Sequence, residues 1–324
     1  MSPARSLRIG TRASALALWQ AEHVAELIRV QPGAPAVELV RISTQGDIRS
    51  DVPLWQTAGR SFFTREIDRA LLAGDVDVAV HSLKDLSTQL EPGVALAATL
   101  PRADPRDVLV SRSGRALAAL PRGARIGTSS LRRRAFLARA RKDAVPVELR
   151  GNVPTRLERL ERGECDAIVL AAAGLARLGL LERVSEFLDP ASFPPAVSQG
   201  VIGVCTRAQD LTTQRWIGVL DDQEARLASS AERALLRRLE GGCQVPLGAL
   251  ATVHGNVLDL SASVCALDGS ELLSVRGVTV ATTGGAPRPM EAVALGERLA
   301  EELLDRGAGA LIASEREART VDEP

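Results

Sequence analysis

The amino-acid sequence predicts an α/β protein with two similar doubly wound domains around a cleft and a small C-terminal α+β domain with a three-stranded antiparallel sheet. The chain has 324 residues, more than one hydrophobic core usually supports. Strand-like and helix-like segments alternate in two successive blocks, which is typical of parallel sheets covered by helices on both faces. The last third instead carries three consecutive strand-like segments between two helices.

The first block opens with the strand "LRIGT" and the helix "SALALWQAEHVAELIRV", whose apolar residues fall at helical spacing behind a possible N-cap, Ser14. The strand "AVELVRIST" follows, and then the helix "FFTREIDRALLAGD", which Gly74 is expected to close. The segment "VDVAVHSL" is apolar at successive positions, so it predicts a strand buried on both faces.

The second block predicts strands in "DVLVSR" and "DAIVLAAAGL" and helices that begin after "IGTSS" and at "VPTRLERLERGE". The segment "GVIGVCTR" predicts a strand that returns to the first sheet. The helix "EARLASSAERALLRRLE" then opens the third block. We therefore expect domain 1 to comprise residues 1–104 and 198–221, domain 2 residues 105–197, and the C-terminal domain residues 222–324.

Composition excludes several classes of protein. A formal net charge of +0 argues against bulk attraction to nucleic acid or to an anionic membrane. The start "MSPARSLRIGTRAS" has no long apolar run, and the four cysteines show no CxxC spacing, so we expect a cytoplasmic protein with reduced thiols and no metal site. Motifs of the GxSxG, GKS/T, HExxH and GxGxxG types are missing as well.

Hydroxyl and arginine residues recur where predicted strands give way to helices. In "IGTSSLRRRA", three hydroxyl residues precede three arginines at the start of a helix, where free N–H groups favour a carboxylate or a phosphate. A capped helix with a solvated basic face is the alternative interpretation. Similar groups at other turns favour a ligand with many carboxylates; they are Arg12, Ser14, Arg150, Arg156 and Arg177.

Two further segments carry possible chemistry. "VAVHSLKDLST" places Lys84 and Asp85 at the end of an apolar strand, where Asp85 would act as a general acid/base or stabilise a developing cation. A surface ion pair between the two residues is the alternative. "LEGGCQVPLG" places Cys243 in a glycine-rich loop with room for a group on sulfur, although an ordinary loop thiol fits the local sequence too.

Seven segments together resemble one family. They are "RIGTRASALALWQ", "DVDVAVHSLKD", "GTSSLRRRA", "LRGNVPTRL", "DAIVLAAAGLARLGL", "PPAVSQGVIGV" and "AERALLRRLEGGCQVPLG". Their order and spacing are similar to those of the porphobilinogen deaminases, also called hydroxymethylbilane synthases, over roughly residues 7–311. The resemblance implies a transferase that joins four porphobilinogen molecules head to tail into hydroxymethylbilane and releases ammonia.

The resemblance also implies a cofactor and roles for individual residues. A dipyrromethane, made from two substrate units, would be attached covalently through Cys243, and Asp85 would be the catalytic carboxylate. The remaining cofactor-binding positions would be Asp47, Ser82, Lys84, Thr128, Ser129, Arg132, Arg133, Arg150 and Gly151. The substrate-binding positions would be Arg12, Ser14, Arg60, Arg156, Arg177 and Gln199.

The sequence departs from the family pattern at two places. The segment "LWQTAGRSFFTREI", expected to be a flap over the cleft, has Gln56, Arg60 and Ser61 where the family commonly has two lysines and a glycine, and Cys205 replaces an acidic residue. The rival hypotheses are a non-catalytic polycarboxylate-binding protein of the periplasmic-binding-protein-like architecture, and a drifted paralogue that binds without elongating. The expected partner is porphobilinogen alone, bound by a monomer without nucleic acid or membrane.

Overall fold

The chain folds around three β-sheets, seen in a computed structural model that describes residues 6–44, 64–239, 245–281 and 286–313. The first sheet has the strand order β2-β1-β3-β10-β4. Its strands are β1 (Leu7–Arg12), β2 (Val37–Ile42), β3 (Val78–Ser82), β4 (Val94–Thr99) and β10 (Ile202–Arg207). β1 is parallel to β2 and β3, whereas β10 is antiparallel to β3 and β4.

The second sheet repeats this plan with the order β7-β6-β8-β5-β9. Its strands are β5 (Asp107–Ser111), β6 (Arg125–Gly127), β7 (Val145–Val147), β8 (Ala167–Ala171) and β9 (Glu186–Phe187). β6 is parallel to β7 and β8, and β5 is antiparallel to β8 and β9. In each sheet the antiparallel strand, β10 or β5, is the one that the chain enters directly after crossing from the other sheet.

Helices cover both faces of these two sheets. They are α1 (Ala15–Arg29), α2 (Arg65–Ala73), α3 (Leu131–Ala140), α4 (Val153–Glu161), α5 (Ala172–Arg177) and α6 (Leu211–Gly218). Consecutive residues of β3 enter cores on opposite faces: Val78 and Val80 pack into one cluster and Ala79 into the other. The prediction of a strand buried on both faces is therefore confirmed.

The third sheet is antiparallel, with the order β11-β12-β13. Its strands are β11 (Leu247–His254), β12 (Val257–Cys265) and β13 (Leu272–Val280), and α7 (Gln223–Arg238) and α8 (Pro289–Asp305) pack against it. The predicted fold class is confirmed by these three sheets. The exact domain boundaries, at 104/105, 197/198 and 221/222, remain a prediction.

Most predicted elements form where the sequence indicated them. Ser14 caps α1 by accepting from the Ala17 N–H, and Gly74 ends α2 in the left-handed conformation at φ 80°. The strand expected in "DAIVLAAAGL" is shorter than predicted, because it ends at Ala171 and the chain continues as α5. β4, β9 and α6 were not predicted.

Two segments connect the first and second sheets, and they contact each other closely. Gly200 has φ +92°, and a Cβ at this position would lie 2.4 Å from the Ala103 carbonyl oxygen, so only glycine fits. The Ala103 N–H donates to that glycine's carbonyl oxygen at 3.2 Å. No helix in the described ranges is long and apolar enough to cross a membrane.

Candidate active site

Strand ends of the first two sheets carry most of the predicted functional residues. Lys84 and Asp85 lie in a short 3-10 turn, Leu83–Asp85, directly after β3. Thr128 and Ser129 follow β6, Arg150 follows β7, and Arg177 ends the helix after β8. These positions lie beyond the carboxyl ends of parallel strands, where α/β sheets bind ligands.

The turn after β3 brings Asp85 into the field of arginines from the second sheet. Burial lowers the pKa of Arg156 to about 10, helped by the positive charge of Arg133 and opposed by the negative charge of Asp85. The Asp85 carboxylate accepts no hydrogen bond from the described residues. Arg233 of α7 donates to the carbonyl oxygens of Leu86 and Ser87, so the third domain holds the segment that follows Asp85.

Arg132 and Arg133 are buried at the start of α3. Arg133 donates to the Asp107 carboxylate from Nε at 3.2 Å and from Nη2 at 2.7 Å, and to the Val169 carbonyl oxygen from Nη1 at 2.8 Å. Arg132 Nη2 lies 2.7 Å from the other Asp107 oxygen, and its Nη1 donates to the Pro194 carbonyl oxygen. Both guanidinium groups are thus fixed by protein contacts, while the buried Nε of Arg132 has no hydrogen-bond partner within the described ranges.

The three hydroxyl residues before α3 make different contacts. Ser130 is the N-cap of α3 and accepts from the Arg133 N–H, and the Thr128 hydroxyl accepts from the Ser130 N–H at 3.2 Å. Ser129 is buried at the same turn. The arrangement leaves a helix N-terminus beside two guanidinium groups, a combination that favours an anion.

Arg150, Gly151 and Arg156 form the next turn of the second sheet. Gly151 has φ +113°, and its carbonyl oxygen accepts from Arg156 Nε at 2.8 Å. Arg150 is buried, and its positive charge contributes to the lowered pKa of Arg156. We use the name strand-end site for the residues that the structure brings together here: Lys84, Asp85, Arg132, Arg133, Arg150 and Arg156.

Other predicted residues lie around the strand-end site. Gln199 is buried, and its side-chain oxygen accepts from Lys84 Nζ at 3.3 Å. The Ser82 hydroxyl bonds to the side-chain amide of Gln20, at 2.9 Å from its Nε2. Arg12 lies close enough to His81 for its charge to help burial lower the pKa of that histidine to about 4.

Arg177 and Ser14 have local partners. Arg177 donates to the Gly200 carbonyl oxygen at 2.6 Å, its guanidinium lies 5.9 Å from the centre of the Trp19 ring, and burial lowers its pKa to about 10. Ser14 caps α1. The predictions for Asp47, Arg60 and Cys243, and the departures at Gln56 and Ser61, lie outside the described residues.

Two buried carboxylates of this region were missed from the sequence. Asp107 holds Arg132 and Arg133, and Glu232 of α7 accepts from Arg102, from the Ser198 N–H and from the Ala251 N–H. The sequence position of each carboxylate could have indicated that it is buried. Asp107 stands at the first position of the apolar strand "DVLVSR", and Glu232 lies on the apolar face of its helix.

The cysteines of the described ranges are consistent with reduced thiols. Cys165, Cys205 and Cys265 are free and buried. Burial, helped by the negative charge of the nearby Asp68, raises the pKa of Cys205 to about 12. These three thiols are core residues and should be inert, because a buried neutral thiol is a poor nucleophile.

The fold and the strand-end site define an α/β protein that gathers arginines from several strand ends, an arrangement that suits an anionic ligand. Residues 7–215 match the family model described as porphobilinogen deaminase, dipyrromethane cofactor binding domain, and residues 226–305 match the model of the porphobilinogen deaminase C-terminal domain. The chain belongs to the porphobilinogen deaminase family.

Curated relatives agree with the family models. A porphobilinogen deaminase of Roseiflexus castenholzii is 50% identical over 308 residues, which are 95% of this chain and 99% of the relative. One from Syntrophotalea carbinolica is 48% identical over 309 residues, or 95% of this chain and 96% of the relative. These matches confirm the family, the transferase class and the dipyrromethane cofactor, and they do not favour the rival of a non-catalytic binding protein.

Among solved structures, the periplasmic sulfonate-binding protein SsuA from Methylobacillus flagellatus matches 74% of this chain and 69% of its own, with 17% identity and a TM-score of 0.38. A superposition of this quality does not assign a fold. The fold assignment therefore rests on the strand order and strand directions of the three sheets.

Proposed function

We propose that this chain joins four porphobilinogen molecules head to tail into hydroxymethylbilane, with release of ammonia, by extending a dipyrromethane attached through Cys243. One observation carries the proposal within the described residues. The turn that bears Lys84 and Asp85 of the first sheet lies within the electrostatic reach of Arg133 and Arg156 of the second sheet.

Asp85 is the proposed catalytic carboxylate. Each addition breaks the aminomethyl C–N bond of one substrate, releases ammonia and leaves a positively charged pyrrole. A C–C bond then forms to the terminal pyrrole, whose attacked carbon gives up its proton. A carboxylate that accepts no hydrogen bond from the described part of the chain is available to bind pyrrole N–H groups and to offset the developing positive charge.

The arginines are proposed to hold the acetate and propionate groups of the pyrroles. The residues present fit a dipyrromethane, because the buried Nε of Arg132 has no hydrogen-bond partner among the described residues and because Arg156 lies near the positive charges of Arg133 and Arg150. A bound carboxylate would relieve both conditions. When bound, the dipyrromethane supplies the terminal pyrrole carbon on which the chain grows.

The remaining predicted residues are proposed to bind either the cofactor or the substrate. Thr128, Ser129, Arg132, Arg133 and Arg150 would hold the cofactor with Ser82 and Lys84. Arg12, Arg156 and Arg177 would hold substrate carboxylates. We further propose that the protein is a monomer and that it lies in the cytoplasm. The three buried free thiols support the cytoplasmic location, because such thiols persist in reducing compartments.

The test compares wild-type protein with Asp85→Asn and Cys243→Ser variants. Intact mass should show a two-pyrrole adduct on wild-type protein and on Asp85→Asn, but not on Cys243→Ser. Uroporphyrin formation from porphobilinogen should fall about 100-fold or more in Asp85→Asn, the size of effect expected when one electrostatic group is removed. Asp85→Glu, which keeps the charge, should retain more activity than Asp85→Asn.

Two results would contradict this assignment. A loaded Asp85→Asn enzyme that works at the wild-type rate would remove Asp85 from the chemistry. Wild-type protein that carries the adduct and binds porphobilinogen without forming product would instead identify the drifted paralogue.

A further inference from the structure

Asp107 contacts Arg132 and Arg133, and it also contacts Gln199, whose side chain reaches Lys84. It lies at the start of β5 with none of its surface exposed. Besides the two arginines, it accepts from Gln199 Nε2 at 3.0 Å. Burial alone would raise the pKa of Asp107, but the two arginines and this amide lower it well below its ordinary value. Asp107 is therefore a permanent negative charge.

The side-chain amide of Gln199 has only one orientation that suits its neighbours. Its Nε2 donates to the Asp107 carboxylate and to the Pro105 carbonyl oxygen, at 3.0 and 2.8 Å, and both partners are acceptors. Its Oε1 faces the Lys84 ammonium, which is only a donor. A flipped amide would place oxygen against two oxygens and N–H groups against an ammonium. The carboxylate of Asp107 thus directs an acceptor at Lys84.

The charge of Lys84 is sensitive to this arrangement. Desolvation lowers the pKa of Lys84 to about 8, and the positive charges of Arg133 and Arg132 act in the same direction. The negative charges of Asp85 and Asp107 oppose them. Lys84 therefore sits near the border between its charged and neutral forms, with Asp107 as one of two carboxylates that favour the ammonium.

We propose that Asp107 is a positioning residue for the strand-end site: through the Gln199 amide it keeps Lys84 as an ammonium beside Asp85, while it fixes the guanidinium groups of Arg132 and Arg133. The role of the ammonium in turnover rests on the proposed function. The control of its charge by Asp107 does not, and it is measured separately.

The sequence offers a direct measurement, because Lys84 and Lys142 are its only lysines. Protein with ε-¹³C-labelled lysine gives two Cε signals, and a Lys142→Arg variant identifies which one belongs to Lys84. In the full-length loaded protein, the titration midpoint of Lys84 should move down by about one pH unit in Asp107→Asn, since a neighbouring negative charge has been removed. Gln199→Met keeps the charge of Asp107 but removes both the acceptor at Lys84 and the amide that donates to Asp107, so it should give a smaller shift in the same direction.

Glu22→Gln serves as the matched control, because it also removes one negative charge, but on the exposed side of α1. It should leave the Lys84 midpoint unchanged. An unchanged midpoint in folded Asp107→Asn would overturn the proposal, and if that variant does not fold, an unchanged midpoint in Gln199→Met does so instead. If the wild-type enzyme turns over, its kcat can be followed against pH. The alkaline limb of that profile should lie at lower pH in Asp107→Asn than in wild type. If Asp107→Asn unfolds at a lower denaturant concentration but the alkaline limb of its kcat profile does not move, the role of Asp107 is purely structural.

Discussion

Asp107 and Asp68 are both buried aspartates, but their pKa values are shifted in opposite directions. Asp107 has two arginines and an amide around it, and these hold its pKa well below the ordinary value. Asp68 of α2 is 4% exposed, and its Oδ1 has no hydrogen-bond partner. Burial raises the pKa of Asp68 to about 6, against a smaller lowering by the Thr64 hydroxyl. The charged donors around a carboxyl group therefore decide its state, and burial alone does not.

The neighbour of Asp68 reinforces this contrast. His81 Nε2 lies 3.8 Å from Asp68 Oδ1, too far for a hydrogen bond, and burial lowers the pKa of this histidine to about 4. At neutral pH a buried carboxylate with no charged donor among the described residues thus lies beside a neutral imidazole. The two aspartates should therefore respond differently to substitution.

Removal of Asp107 should have the largest effect. Asp107→Ala leaves two buried guanidinium groups without their counter-charge, and loss of one partner of a buried ion pair costs about 3–5 kcal/mol of unfolding free energy. Urea unfolding at pH 7 measures this loss. A loss below about 1 kcal/mol would mean that the arginines find other partners, and the contrast with Asp68 would fail.

Asp68→Asn should have a smaller effect that depends on pH. The folded pKa of Asp68 lies above the ordinary 3.8, so wild-type protein gains stability from this group as pH falls from about 6 to about 4. The variant lacks that gain. The unfolding free energy of the variant minus that of wild type should therefore be largest above pH 6. This difference should decrease by on the order of 2–3 kcal/mol as the pH falls to 4.

Urea unfolding at several pH values between 4 and 7 tests the Asp68 prediction. His81 acts in the opposite direction, since its folded pKa is lowered and stability is lost as pH falls from 6.5 to about 4. The comparison is therefore made in a His81→Gln background, because the two side chains lie 3.8 Å apart and their contributions are not independent. Parallel curves for the two proteins would show that Asp68 is not the buried, unpaired acid that the structure describes.

The smallest effect should come from an exposed carboxylate. Glu22 pairs with Arg29 on the surface of α1, where the two side chains are 46% and 43% exposed. Glu22→Gln should change the unfolding free energy by less than about 0.5 kcal/mol, because solvent and salt screen such pairs. The same urea experiment measures it, and a change as large as that of Asp107→Ala would break the ranking.

The sequence predicted the strand-end site more completely than its supporting residues. Lys84, Arg132 and Arg156 follow parallel strands, and the rule that ligands bind at carboxyl strand ends indicated them. Asp107 was missed and Gln199 was indicated only by the family resemblance, because they stand at the start of β5 and just before β10. Both strands are antiparallel to their neighbours, so their first residues lie at the same edge as the last residues of β8 and β3. Strand direction was the missing information.

Prediction of the fold failed at short or weakly patterned elements. β9 has two residues, and β4 is built from the alanine-rich "VALAAT", which offers little of the β-branched character that marks strands. The strand in "DAIVLAAAGL" was drawn too long because three alanines continue its apolar run into α5. Ion pairs such as those of Asp107 depend on contacts between residues far apart in sequence, which periodicity does not report.

The position of β10 between β3 and β4 also bears on the order in which the molecule forms. All strands of the second sheet lie between Asp107 and Phe187, so this sheet has its full complement as soon as that stretch leaves the ribosome. The first sheet has to wait for Ile202–Arg207 before its two halves can join. During synthesis, we expect the first sheet to be completed after the second, although most of its strands are made earlier, with the edges of β3 and β4 unpaired in the interval.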